Sequence, residues 1–184
     1  MSPKALVLLA TGAEEMEVVI TVDVLRRGGI SVIMGGLSGK DAVKCSRDVV
    51  IVPDISLSEV KQEFDVIVLP GGLEGANALA ASPLVGQLLR QQEDSKRVIA
   101  AICAAPIALK SHRIGLKKKI TSHPSKAQEL KSDYDYSEDR VVIDGQLITS
   151  RGPGTAFEFA LAIVDKLMGS DKVKEISVPM ILKE

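Results

Sequence analysis

The sequence contains no tryptophan, only 3% aromatic residues, two cysteines, two histidines and no excess of either charge. Each scarcity excludes something. So few aromatic rings offer no platform on which successive bases could stack. A net charge of −1 gives no electrostatic case for nucleic acid or for an anionic membrane surface. Cys45 and Cys103 are too few for the disulfide framework of a small secreted domain. Together with His112 and His123 they lack the paired spacing of a metal site, so neither a metal nor a cofactor is expected. No apolar run approaches the ~18 residues of a membrane span. The N-terminus "MSPKALVLLATG" has neither the long apolar core nor the cleavage site of a signal peptide. A reducing, cytosol-like compartment is the expectation. Lys117-Lys118-Lys119 reads as a solvated face rather than a binding patch.

What is present is an ordinary globular composition, 46% hydrophobic and 26% charged, in 184 residues. That length suits a single domain spanning 1–184, with no internal repeat or linker. Short β-rich apolar runs alternate with helical patterns, which predicts an α/β fold with a mostly parallel sheet. "ALVLLA", "ISVIMGGL", "FDVIVLPGG", "RVIAAIC" and "KKITSHP" read as strands. Helices are expected in "EEMEVVITVDVLRR", ended by Gly28-Gly29, and from about Asn77 to Gln92 with a break at Pro83. "VKCSRDVVIVPD" alternates like part of a hairpin, and Asp144-Gly145 marks a second hairpin. In "TAFEFALAIVDKLMG", Thr155 and Glu158 have the spacing of a capping box. The tail from Lys172 is ambiguous.

Ligands of open parallel sheets bind beyond the carboxyl ends of the strands. Three strand-to-helix junctions there carry chemistry. Cys103 ends one strand just before Pro106 opens a helix, an arrangement like a nucleophile elbow. The positive end of that helix is expected to lower the thiol pKa. Gly71-Gly72 would let backbone N–H groups approach a substrate oxygen as an oxyanion hole, with Ala104 as a third donor. Glu14, Glu15 and Glu17 favour a helix N-terminus, and one of them is a candidate proton donor or acceptor to the thiol; spacing does not choose among them. His123, after "KKITS", should emerge at the same edge, whereas His112 is expected at the surface.

"GAEEME", "VLPGG", "AAICAAP", "TSHP" and "TSRGPGTAFEFALAIV", in this order, closely resemble the ThiJ/PfpI superfamily, and within it the Parkinson disease-associated deglycases. The likeness runs from "KALVLLA" to "ILK". It implies a flavodoxin-like three-layer sandwich, a homodimer and an elbow cysteine, here Cys103, hydrogen-bonded to a protonated glutamate that falls on Glu17. The oxyanion-hole glycine falls on Gly71 or Gly72, and the accompanying histidine on His123. "KCSRD" resembles the dimer-interface segment, which puts Cys45 and Arg47 beside the partner. The resemblance also implies glyoxalase or deglycase activity on a small α-oxoaldehyde or glycated substrate, oxidation of the elbow cysteine under stress, chaperone behaviour, and a cytoplasmic, nuclear or mitochondrial location.

Three departures narrow this. Peptidase relatives carry His directly after the elbow cysteine, where this chain has Ala104. Glutamine amidotransferases use His-x-Glu, whereas His123 is followed by Pro124-Ser125. Val52 stands where the family has a third cysteine. Protease and amidotransferase activity are therefore not expected. Three functions are carried forward: a Cys103-dependent enzyme, a redox sensor oxidised at Cys103, and a scaffold acting through its dimer surface.

Overall fold

The structure, a computed structural model, is described for residues 2–182. In chain order the elements are β1 (Lys4–Leu9), α1 (Glu15–Arg27), β2 (Ser31–Gly36), β3 (Val43–Lys44), β4 (Val50–Ile51), β5 (Ile55–Ser56) and β6 (Val66–Leu69). Then follow α2 (Leu73–Ala81), α3 (Pro83–Asp94), β7 (Val98–Ile102), α4 (Pro106–His112), β8 (Lys119–Ile120), α5 (Ala127–Leu130) and β9 (Asp135–Tyr136). The chain closes with β10 (Val141–Asp144), β11 (Leu147–Ser150), α6 (Ala156–Met168) and α7 (Ser170–Met180).

The main sheet has seven strands in the order β10-β11-β7-β6-β1-β2-β5. Only the β10–β11 pair is antiparallel, joined through Asp144-Gly145 as expected; every other neighbouring pair runs parallel. Successive side chains of β1 point to opposite faces, and both faces are covered. Ala5, Val7 and Leu9 join the layer of α1 and α6, with Val18, Leu25, Phe159 and Ile163. Leu6 and Leu8 join the layer of α2, α3 and α4, with Leu79, Leu89 and Leu109. A strand buried twice must be apolar throughout, which is why "ALVLL" and "VIVL" show no alternation. After β1 the chain adds β2 on one side and later β6 on the other. The crevice where ligands collect therefore lies beyond the ends of β1, β6 and β7.

Several expectations are refined. The helix placed from Asn77 is two helices: α2 begins at Leu73, directly after Gly72, and α3 begins at Pro83 with Ser82 Oγ accepting from Val85 N–H. The capping box at Thr155 and Glu158 does not form. Thr155 Oγ1 turns back to accept from Gly152 and Arg151 N–H, and Glu158 pairs with Arg140. His112 is not a free surface residue; its ring lies against Gly86, and Nε2 is 2.9 Å from the Leu79 carbonyl oxygen. The lysine run is solvated and matched by acids, Lys118 to Asp144 and Lys119 to Asp139. β8 pairs with β9 outside the main sheet, and β3 with β4 makes the expected separate hairpin. Of the ambiguous tail, residues 172–180 belong to α7, with Pro179 in its last turn, and residues 183–184 lie outside the described residues. Among the described residues no helix is long and apolar enough to cross a membrane.

Candidate active site

Cys103 lies immediately past β7 with φ 65, a left-handed conformation that a non-glycine residue adopts only under constraint. The constraint is visible on both sides. Its N–H donates to the Ser150 carbonyl at the end of β11 (3.0 Å), and its carbonyl accepts from His123 N–H (2.8 Å). The backbone is thus clamped between two neighbouring segments, and the half-buried sulfur is turned up at the sheet edge. Pro106 occupies the first turn of α4, as the sequence predicts.

The three carboxylates of the first turn of α1 have three different uses. Glu14 caps the helix, its Oε2 accepting from Glu17 N–H at 2.8 Å, and burial raises its pKa. Glu15 reaches the β3–β4 loop, accepting from Ser46 Oγ (2.8 Å) and Arg47 N–H (2.7 Å). Glu17 points inward, is fully buried, and its Oε2 accepts from Gly71 N–H at 2.7 Å. Glu17 Oε1 is buried with no donor among the described residues. A carboxyl oxygen so placed is most stable carrying the proton itself, and burial raises Glu17 from its ordinary 4.5 to about 8. This choice among three glutamates was beyond spacing alone.

Glu17 faces Cys103. Burial first, and then the charge of an ionised Glu17, push the Cys103 thiol up to about 12. With Glu17 protonated that repulsion is absent, and the backbone N–H groups of Gly72 and Ala104, which point at the sulfur, favour the thiolate. The thiol is thus raised, not lowered as its place before α4 led one to expect, because burial outweighs the N–H groups that favour its charged form. Gly71 has a different part from the one expected. Its N–H is already engaged by Glu17, and a Cβ there would come within 2.5 Å of Cys103 Cβ and 2.7 Å of Glu17 Oε2. Gly71 is the gap that lets acid and sulfur meet. Gly72 has φ 80 and carries the turn into α2.

These groups open on a cavity of about 390 Å³ lined by Cys103, Gly72 and Ala104, with His123, Arg47 and Lys126 among its other walls. His123 is exposed, and its Nδ1 lies 2.8 Å from Ser125 Oγ rather than beside a carboxylate, so no Cys-His-acid triad is formed. Cys45 is buried within the turn of the β3–β4 hairpin, with its thiol raised by burial and by Glu15 and Glu14, and it is absent from the cavity wall. Met16, Leu73, Ser125, Lys126 and Pro153 complete much of the wall without having been singled out in the sequence. Among the described residues no cluster of His, Cys, Asp and Glu could hold a metal ion.

Comparison with known proteins agrees with this geometry. Residues 3–166 match the DJ-1/PfpI family. The chain is 57% identical to Drosophila melanogaster protein dj-1beta over 179 residues, covering 96% of each chain. It is 44% identical to the Caenorhabditis elegans glutathione-independent glyoxalase DJR-1.2, covering 97% of this chain and 96% of that one. The crystal structure of Drosophila DJ-1beta superposes with a TM-score of 0.98 at 55% identity over the whole of both chains.

The buried acid generates a pH dependence. An acid whose pKa rises on folding binds more protons in the folded state, so wild-type stability falls as pH rises from about 4.5 to about 8. Glu17→Gln should remove that slope, on the order of a few kcal/mol across the window, in urea unfolding measured at several pH values. Parallel slopes in the two proteins would refute a proton held by Glu17.

Proposed function

The chain belongs to the DJ-1/PfpI family, and on that premise we propose that it is a cysteine-dependent glyoxalase or deglycase acting on small α-oxoaldehydes or their early adducts. The observation that carries the reading is a constrained, half-buried Cys103 set against a buried Glu17 that keeps its proton. The name of the nematode relative supports the same chemistry.

The Cys103 sulfur, its proton given up to water at the cavity mouth, attacks the aldehyde carbon of methylglyoxal. A C–S bond forms, and the carbonyl π pair moves to oxygen, received by the N–H groups of Gly72 and Ala104. Glu17 supplies the proton that completes the hemithioacetal. A proton then passes from the former aldehyde carbon to the neighbouring carbonyl carbon through Glu17, while the hemithioacetal hydroxyl gives its proton up and the neighbouring oxygen takes one, by exchange with water at the mouth in which His123 takes part. The product is a thioester of a 2-hydroxy acid. Water cleaves it, restoring the thiol and releasing lactate, so that methylglyoxal and one water are consumed. Gly71 positions Glu17 rather than holding the oxyanion.

The same pair favours a second reading, in which Cys103 is a redox sensor. Oxidation of the thiolate to a sulfinate gives an acceptor for the proton Glu17 holds, which would arrest the oxidation ladder there. Buried Cys45, with its raised pKa, is the protected thiol in this scheme.

We also assign a homodimer. Val19 and Met16 on α1 and Val49, Val50 and Val52 on the β3–β4 hairpin are all exposed apolar side chains. Val19 and Ile51 line one groove, so the two elements form a continuous face. A monomer rarely leaves such a face uncovered. Cys45 and Arg47 both belong to the turn of that hairpin, Cys45 buried in it and Arg47 on the cavity wall.

Cys103→Ala should abolish lactate formation from methylglyoxal while leaving the fold intact by circular dichroism; turnover surviving in the variant would sink the enzymatic reading. Mild peroxide should add 32 Da at Cys103 and not at Cys45 by peptide mass spectrometry, and equal labelling would reject the sensor. In sedimentation equilibrium the protein should run at twice its 19.6 kDa chain mass, with Val50→Glu shifting it toward the monomer. A wild-type monomer would reject the dimer.

A further inference from the structure

The cavity is larger and more charged than a three-carbon dicarbonyl needs. About 390 Å³ falls in the range that holds drug-sized ligands, so methylglyoxal at Cys103 would fill only its floor. The remaining wall has two kinds of surface. Met16, Leu73 and Pro153 make an apolar strip. Arg47 and Lys126 bring cations, with the hydroxyls of Ser46 and Ser125 beside them.

The charge balance of that wall is positive. Glu14 is its one acid, and its carboxylate already caps α1 through Glu17 N–H. Arg47 is fixed at its backbone by Glu15 and uses Nη1 on the Ser46 carbonyl, which leaves the other guanidinium donors available. Lys126 is half-buried. Its nearest acid, exposed Glu129, is 3.7 Å away, a loose surface pair of little energetic weight. Lys126 is carried there by the short turn after His123, where His123 caps Ser125 N–H and Pro124 sets the first turn. Arg47 also acts on Glu14 through its charge, but one acid against two cations, neither held in a close ion pair, leaves the wall net positive and makes a site for an anion in the cavity that Cys103 lines.

We infer that Lys126 and Arg47 make the cavity selective for carbonyl substrates bearing a carboxylate, the aldehyde carbon meeting Cys103 while the carboxylate lies between the two cations. This rests on the carbonyl reading of the site and names the substrate class within it. The inference also gives Lys126 a role as a specificity residue, distinct from the groups that move protons.

Two measurements separate the inference from the reading beneath it. The first needs no turnover. Cys103 is alkylated with iodoacetate and with iodoacetamide, and the ratio of the two rate constants is divided by the same ratio for 2-mercaptoethanol. Wild type should exceed the free thiol by about tenfold at low salt, and the excess should shrink in high salt. Lys126→Gln should bring the ratio toward that of the free thiol, and Lys126→Arg should retain it. A wild-type ratio at or below the free-thiol value, or one indifferent to Lys126→Gln, overturns the inference. The second measurement compares kcat/KM for 4-carboxyphenylglyoxal and phenylglyoxal. The carboxylate should be preferred in wild type, and the preference should collapse in Lys126→Gln and in Arg47→Gln. Turnover of both substrates without preference overturns the anion site and leaves the glyoxalase reading standing. An alkylation bias for iodoacetate with no turnover of either glyoxal upholds the anion site and removes the glyoxalase reading.

Discussion

The hydrogen bond from Gly71 N–H to Glu17 Oε2, 2.7 Å long, is the contact on which the site depends. It ties the first turn of α1 to the end of β6, and so fixes an acid from one junction beside the sulfur of another. A buried carboxyl group is costly unless it is neutral or well bonded. Here one oxygen is satisfied by Gly71 and the other has no donor, so the group settles the account by holding its proton. The proton's place therefore follows from burial, and the chemistry available to Cys103 follows from the proton.

The elbow itself is held by its neighbours. A non-glycine residue at φ 65 stores strain on the order of 1 kcal/mol, which within "AICAAP" is opposed by one turn hydrogen bond, from Ala105 N–H to the Ile102 carbonyl (3.0 Å). The rest of the offset comes from Ser150 on β11 and from His123 after β8, whose backbones take up the N–H and carbonyl of Cys103. Ser150 is in turn fixed by its Oγ, which bonds to the Arg140 carbonyl and to Thr155 Oγ1. That explains why Thr155 faces back toward the turn instead of closing a capping box with Glu158. The residue serves the strand end that serves the elbow. His123 likewise contributes to the site first through its backbone, and its exposed ring is the secondary feature.

The strands and their sheet edge were readable because a strand buried on both faces must be apolar along its whole length, and "ALVLL", "VIVL" and "VIAAI" are. The position of Cys103 was readable for the same reason: the apolar run stops there and Pro106 follows. What resisted reading was everything that depends on direction rather than position. Glu14, Glu15 and Glu17 occupy one helical turn, and only the packing of α1 on the sheet turns Glu17 inward. Gly71 looked like an oxyanion donor because its N–H has no partner in a linear sequence; the partner comes from α1. Lys126 and Pro153 escaped notice because short turns bring them to the cavity, and such turns leave no periodicity to detect.

The cavity wall and the exposed apolar face meet at the β3–β4 loop, and this has a consequence for how the two are coupled. Glu15 holds that loop through Ser46 Oγ and Arg47 N–H, so the helix that supplies Glu17 also sets the height of Arg47. α1 and its cap thus reach the cavity wall with Glu14 and Met16, stand behind the sulfur with Glu17, and reach the apolar face with Val19. A second copy seated on that face would bear on the helix that carries the acid. One helix thus carries both the acid of the site and part of the apolar face on which the proposed dimer would form.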